Sequence, residues 1–142
     1  MKSILTFLIL IFSTIVFSQS ETVAGDYALT LDTNDNNVFE YKLTLSPDGS
    51  FFFHYYSRIK QGSPTEVHKY GKGTWTAENN VVSFFSDKAK DLDGKHSLDF
   101  ADSNARFIIK SPRDKTDKIV KTRLQFLKSE IFWMERIALF KV

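Results

Sequence analysis

The chain has no cysteine. It therefore carries no thiol nucleophile and no disulfide framework, and no cysteine follows its first apolar run to take a lipid. Whatever fold it adopts must be held by its core alone. Charge of one sign is also missing, since 19 Lys and Arg stand against 17 Asp and Glu for a formal net charge of +2. That near-neutrality lacks the basic surplus of nucleic-acid binders, so no nucleic acid is expected as a partner. The one local surplus, Lys110 to Arg123, sets six basic residues against Asp114 and Asp117. It reads either as a patch for anionic polymer or lipid headgroups or as a solvated loop entering a strand.

Signatures of catalysis are absent as well. No G-x-S-x-G elbow occurs. Gly71-Lys72-Gly73 lacks the later glycine of a nucleotide loop and runs into a predicted strand instead of a helix. Asp32, Asn34 and Asn36 are spaced like the start of a calcium loop, but Leu43 stands where a bidentate glutamate is needed. Asp87, Asp91 and Asp93 offer oxygens at irregular spacing, at most a weak surface calcium site. His54, His68 and His96 lie on separate predicted strands without H-x-H or H-x-x-x-H spacing. Glu135 and Arg136 are adjacent in an apolar segment, yet strand neighbours point to opposite faces and only one can enter an interior. No catalytic residue, metal or cofactor is expected.

What is present begins at the N-terminus. Lys2, the apolar run Ile4 to Phe17 and the small residue Ser18 have the layout of a secretory signal peptide cleaved after Ser18. The run of about 14 residues is shorter than the roughly 20 that span a bilayer as a helix. The expectation is an exported, periplasmic or extracellular, soluble chain of residues 19–142, with no membrane span and long enough to bury a core of its own.

Beyond residue 24 the dominant period is two. "GDYALTLD" aligns Tyr27, Leu29 and Leu31, "FEYKLTLS" aligns Phe39, Tyr41, Leu43 and Leu45, and "NARFIIK" and "TRLQFLK" align Phe107, Ile109, Leu124 and Phe126. Alternation of this kind marks half-buried strands. Turn signals such as "DTNDNN", "SPDG", "QGSP", "AENN" and "SPRD" separate the runs. Eight to nine short strands at this spacing predict an all-β antiparallel meander, closed as a barrel, with a sandwich as the second choice. Tyr27, Leu43, Leu45, Trp75, Phe107 and Phe126 should share one interior, and 86–92 has room for a single helical turn.

Two segments break the alternation. "SFFFHYY" and "IFWMERIALF" are apolar on both faces if read as strands. Such strands are usually covered on both sides. The second cover is either the connection at 86–95 or 111–119, or an intermolecular contact with a second protomer or another partner.

The signal-like leader, the opening Gly25-Asp26-Tyr27, "LTLSPDGSFFF", "GKGTWTAENNVVSF" and a last strand carrying Arg136 together resemble the small secreted lipocalin-like barrels of Bacteroidetes. In lipocalins an arginine from the last strand covers an aromatic of a first-strand G-x-W. The resemblance therefore implies Arg136 against Tyr27 or Trp75 at a closed end. It also implies a small apolar or amphipathic ligand at the open end. If the interior is a pocket, Phe53, Tyr55 and Trp133 are its expected lining, because these rings lie in the two segments richest in apolar area. Tyr27, Phe53, Tyr55, Trp75, Phe107, Trp133 and Arg136 are the candidate ligand-binding residues. Trp75 itself reads as a plug or as pocket lining. The runner-up function is a cell-envelope interaction module, using strands 51–56 and 131–140 to meet a second copy or an envelope protein.

Overall fold

The computed structural model describes residues 20–142. The expected leader, residues 1–18, lies outside the described residues. Eight strands follow one another: β1 (Gly25–Asp32), β2 (Val38–Leu45), β3 (Ser50–Arg58), β4 (Glu66–Glu78), β5 (Val81–Phe85), β6 (Ser103–Ile108), β7 (Arg123–Lys128) and β8 (Ala138–Lys141). Each pairs antiparallel with the next, and β8 returns to β1 through Tyr27 opposite Lys141 and Ala28 opposite Phe140. The result is a closed up-and-down barrel. Short turns enforce this order, because a two-residue hairpin can only join antiparallel neighbours. Asn79 and Asn80 supply the two positive φ angles, 51° and 62°, that a tight β4–β5 turn needs.

The period-two pattern sets the register. Leu43 sits opposite Tyr27 on one side and Phe53 on the other, so the inward faces of β1, β2 and β3 coincide. Tyr27, Leu43, Leu45, Trp75, Phe107 and Phe126 are all buried in one cluster, as their phase requires. Phe53, Phe100, Leu124, Phe126 and Leu139 expose no area at all. A side chain with no accessible area borders no water-sized void, so the middle of this barrel is packed solid, as small barrels commonly are.

Segment 131–140 is not the continuous strand its composition suggests. Ile131 leads into a 3-10 turn, Phe132–Met134, and only Ala138–Lys141 is strand. Apolar residues appear on both faces there because the chain crosses the barrel end. Met134 is fully buried, whereas Phe132 is 84% exposed. Ile109 falls just past β6 and is exposed, so the alternation ends one residue earlier than expected. At 86–92 the chain makes a hydrogen-bonded turn, closed by Asp91 N donating to Asp87 O at 2.7 Å. Asp87, Asp91 and Asp93 accept from nearby backbone N–H groups, which is turn chemistry and not a calcium cage. The basic stretch before β7 is a connection without strand or helix.

Beyond Thr74, towards its N-terminal end, β4 has no partner in β5. The connection 86–102 fills that flank: Tyr70 bridges His96, Leu98 N donates to Tyr70 O at 3.1 Å, and Phe100 reaches the core against Phe51 and Phe53.

Candidate functional site

The two ends of the barrel differ in chemistry. At the end where β1 begins, a helical turn over 20–23 places buried Val23 beneath the strands, and the Tyr27 hydroxyl donates to the Val23 carbonyl. Burial pushes the Tyr27 phenol well above its ordinary range. Lys141 on β8 lies over this ring, with Nζ 5.9 Å from its centroid, and donates to Thr22 O at 2.9 Å. A Cβ on Gly25 would stand 2.9 Å from Lys141 Cε, so the glycine makes room for the lysine stem. Trp75 is buried nearby, its Nε1 donating to Ser46 O at 3.0 Å, and Phe107 is buried too, its N donating to Asn80 O at 2.8 Å. Tyr27, Trp75 and Phe107 are thus plugs of a closed end.

Arg136 is not at that end. It occupies the turn before β8 at φ 67°, exposed, with its backbone N donating to Phe126 O at 3.0 Å. Among the described residues no aromatic ring lies against its guanidinium. The cation over the first-strand ring is Lys141, because the last strand starts at Ala138 and Arg136 precedes it. "ALFK" carried the signal: in a strand closing on β1, its terminal lysine faces the glycine of G-x-aromatic.

Gly73 and Trp75 are connected indirectly. A Cβ on Gly73 would lie 2.0 Å from the Phe85 carbonyl oxygen and 3.0 Å from the Phe51 ring. Gly73 therefore permits β5 to approach β4, which in turn seats the indole.

At the opposite end three rings converge. Trp133, carried by the 3-10 turn, stands 4.8 Å from Tyr55, 6.0 Å from Tyr41 and 6.3 Å from Phe53 between ring centroids. Tyr41 and Tyr55 face each other across β2 and β3 at 5.3 Å, edge to face. Trp133 and Tyr55 remain half-buried, while Phe53 below them is sealed. Lys69 pairs opposite Tyr55 and so faces inward, with Nζ 6.0 Å from the Trp133 ring. Burial, then the neighbouring Tyr55, raises the Tyr41 phenol. Half-buried Leu29, Phe39, Ile131 and Ile137 pack around the same end. The arrangement, called the cup below, is a ring cluster at the barrel end, with Tyr41 buried, Tyr55 and Trp133 partly exposed and the exposed Lys69 ammonium at its rim, above the sealed Phe53. Of the seven candidate residues, the structure gathers Phe53, Tyr55 and Trp133 here, places Tyr27, Trp75 and Phe107 at the far end, and leaves Arg136 on the surface. Tyr41 and Lys69 belong to the cup although neither is among the candidate ligand-binding residues read from the sequence; their register with Tyr55 is what links them.

The three histidines gather on the outer face. His54 Nε2 and His68 Nδ1 lie 2.9 Å apart, a hydrogen bond whose donor is set by the tautomers of the two rings, and the His54 ring stacks on Tyr70 at 4.6 Å. Phe52, 41% exposed, meets His96 at 6.0 Å, and Lys95 Nζ lies 4.9 Å from the Tyr70 centroid. Burial, then the His68 and Lys42 charges, lower the basicity of His54. Hydrogen bonds from the His96 backbone and ring and from Lys95 N hold Asp93 at about 2. The connection 86–102 thus covers part of the second face of β3. Among the described residues no three His, Cys, Asp or Glu side chains are grouped to hold a metal ion, and no helix is long and apolar enough to cross a membrane.

Comparison with protein-family models, with curated proteins and with solved structures finds no match.

Proposed function

We propose that this protein is an exported, non-catalytic barrel that takes up a small amphipathic molecule at its open end, in a shallow cup and not in a deep calyx. The observation that carries the reading is the convergence of Tyr41, Tyr55 and Trp133 with the inward-facing Lys69 above a sealed floor. The rings supply apolar contact area at low entropic cost, and the phenols and the rim ammonium set the direction in which a polar end leaves the cup. The packed interior limits how far an apolar tail can enter. Export is supported by the charge and hydropathy of the first 18 residues.

The test is tryptophan fluorescence of residues 19–142 titrated with fatty acids, isoprenoids and porphyrins. A saturable change that weakens in Tyr55→Ala supports the cup. No saturation with any of them, together with concentration-dependent dimerisation, moves the function to the outer face.

That outer face is the second reading, favoured by a row of rings along β3 and β4, Phe52 beside Tyr70 at 6.1 Å and Tyr56 beside His68 at 4.9 Å. In that case the protein is an envelope interaction module. The partner would meet strand 51–56 and the residues 93–96, since 131–140 lies at the barrel end.

A further inference from the structure

Just beyond the cup, the loops that leave β2 and β3 enclose a second concavity of different chemistry. A cleft of about 490 Å³ opens between Asp35, Asn36 and Asn37 of the β1–β2 turn and Ile59, Lys60 and Gln61 of the β3–β4 loop. A further hollow of about 250 Å³, bordered by Arg58 and Thr65, adjoins it through Asn36 and Lys60. Both walls are fixed. Asn36 N donates to Thr33 O and Thr33 N to Asn37 O, each at 3.0 Å, while Gly62 N donates to Ile59 O and Ile59 N to Thr65 O, each at 2.9 Å. The walls are also tied to each other, because Lys60 N donates to Asn37 Oδ1 at 3.0 Å. By contrast, the side chains of Asp35, Asn36, Lys60 and Gln61 have no hydrogen-bond or ion-pair partner among the described residues. A preformed cleft thus presents a carboxylate acceptor, two amides that both donate and accept, and an ammonium donor, beside one exposed aliphatic face on Ile59.

We infer that the open-end ligand is an amphiphile whose head group is a neutral, hydroxyl-rich moiety of the saccharide class, seated in this cleft while its apolar part lies in the cup. The inference rests on the open-end reading above. Each hydroxyl of a sugar donates and accepts at once and so can use the amides, the carboxylate and the ammonium together, whereas a simple anion could use Lys60 but would meet Asp35 as a like charge. A pyranose also has an apolar C–H face for Ile59. The two concavities lie on the same strands. Tyr41 is four residues from Asn37 and Tyr55 four from Ile59, about 13 Å at the rise of a strand. Phe39, half-buried and inward-facing between them, continues the apolar wall from cup to cleft. A sugar head group on an alkyl chain of eight to ten carbons spans that distance.

The experiment uses residues 19–142 and three probes below their micellar concentrations: decyl maltoside, decanoate and maltose. Amide and indole NMR shifts report both concavities at once. Decyl maltoside should perturb the Trp133 indole together with the Asn36 and Gln61 signals, and bind about tenfold more tightly than decanoate, as two or three additional hydrogen bonds allow. The double variant Asp35→Ala/Gln61→Ala should lose that tenfold for decyl maltoside without weakening decanoate, whose carboxylate is relieved of a like charge when Asp35 is removed. Asn36→Gly, which keeps the positive φ of 60° and removes the amide, should weaken the glycoside alone. Equal affinity for glycoside and decanoate, indifferent to Asp35 and Gln61, would overturn the head-group assignment and leave the cup intact. The absence of any saturable shift at Trp133 with either amphiphile would overturn the open-end reading, and this inference with it.

Discussion

The two ends of this barrel hold similar numbers of aromatic rings and use them in opposite ways. At the closed end Tyr27 and Trp75 are buried and every polar atom on them has a protein partner: Val23 O for the phenol and Ser46 O for the indole. At the open end Tyr55 and Trp133 are half-buried, neither side chain makes a hydrogen bond among the described residues, and the turn that carries Trp133 belongs to no sheet. Rings with satisfied polar tips and no exposed face serve stability. Rings left open to solvent at a concave end keep contact area in reserve for something else.

Substitutions should separate the two ends by size of effect. Trp75→Ala removes a fully packed indole and should cost about 4 kcal/mol, in the range of large-to-small core changes. Gly73→Ala should cost about 3 kcal/mol or more, since the new Cβ must displace a backbone carbonyl of β5 and not a flexible side chain. Trp133→Ala should cost less, about 2 kcal/mol, because part of the ring is already solvated. Urea unfolding with an unchanged m-value measures all three. A Trp133→Ala loss as large as that of Trp75→Ala would erase the distinction and make the open end a second plug.

A smaller effect sharpens the same contrast. Lys141→Met removes a charged donor to Thr22 O and a cation over the Tyr27 ring, and should lower stability by about 1 kcal/mol. Arg136→Ala should change it by less than about 0.5 kcal/mol, as for an ordinary surface site. Arg136→Gly should raise stability by up to about 0.5 kcal/mol by relieving a left-handed backbone held by an L-residue. Thermal melts of the three variants rank the residues; an Arg136→Ala loss exceeding that of Lys141→Met would return the closing role to the arginine.

Why the closing cation was misassigned shows where sequence reasoning stops. Period-two alternation reports side-chain phase, so it located the strands, the antiparallel order and six of the inward residues. The turn signal "AENN" separately located Asn79 and Asn80 in a turn, where both take positive φ. Alternation cannot report where a strand begins when the flanking residues are apolar for another reason. Segment 131–137 is apolar because it crosses the mouth, and reading it as strand moved the last strand's start back to include Arg136. The gathering of His54, His68 and His96 was hidden for a related reason. It depends on the stagger between β3 and β4 and on the 86–102 connection filling the flank of β4, neither of which leaves a spacing in the chain.

pH should distinguish the same regions, with opposite signs. His54 sits on the outer face of the half of β3 leading to the open end, and its folded basicity is depressed by burial and by His68 and Lys42, with Glu40 opposing and Lys95 adding. A histidine held neutral when folded but protonating near 6.5 when unfolded gives stability that is fully present above about pH 6.5 and is lost as pH falls through the lower folded value. Tyr27 at the closed end behaves in reverse. Its folded phenol is raised by burial, so its contribution is fully present below the unfolded value of about 10 and disappears as pH rises through the folded one. Stability measured from pH 5 to 11 should therefore fall on both sides. His54→Gln should flatten the slope between about pH 6.5 and 5, a window set by the ordinary histidine value, and leave the alkaline limb in place. Tyr27→Phe should reduce the alkaline limb without removing it, since the Tyr41 phenol at the open end is raised as well. If His54→Gln left the acid slope intact, the lowered basicity of His54 would have no part in it.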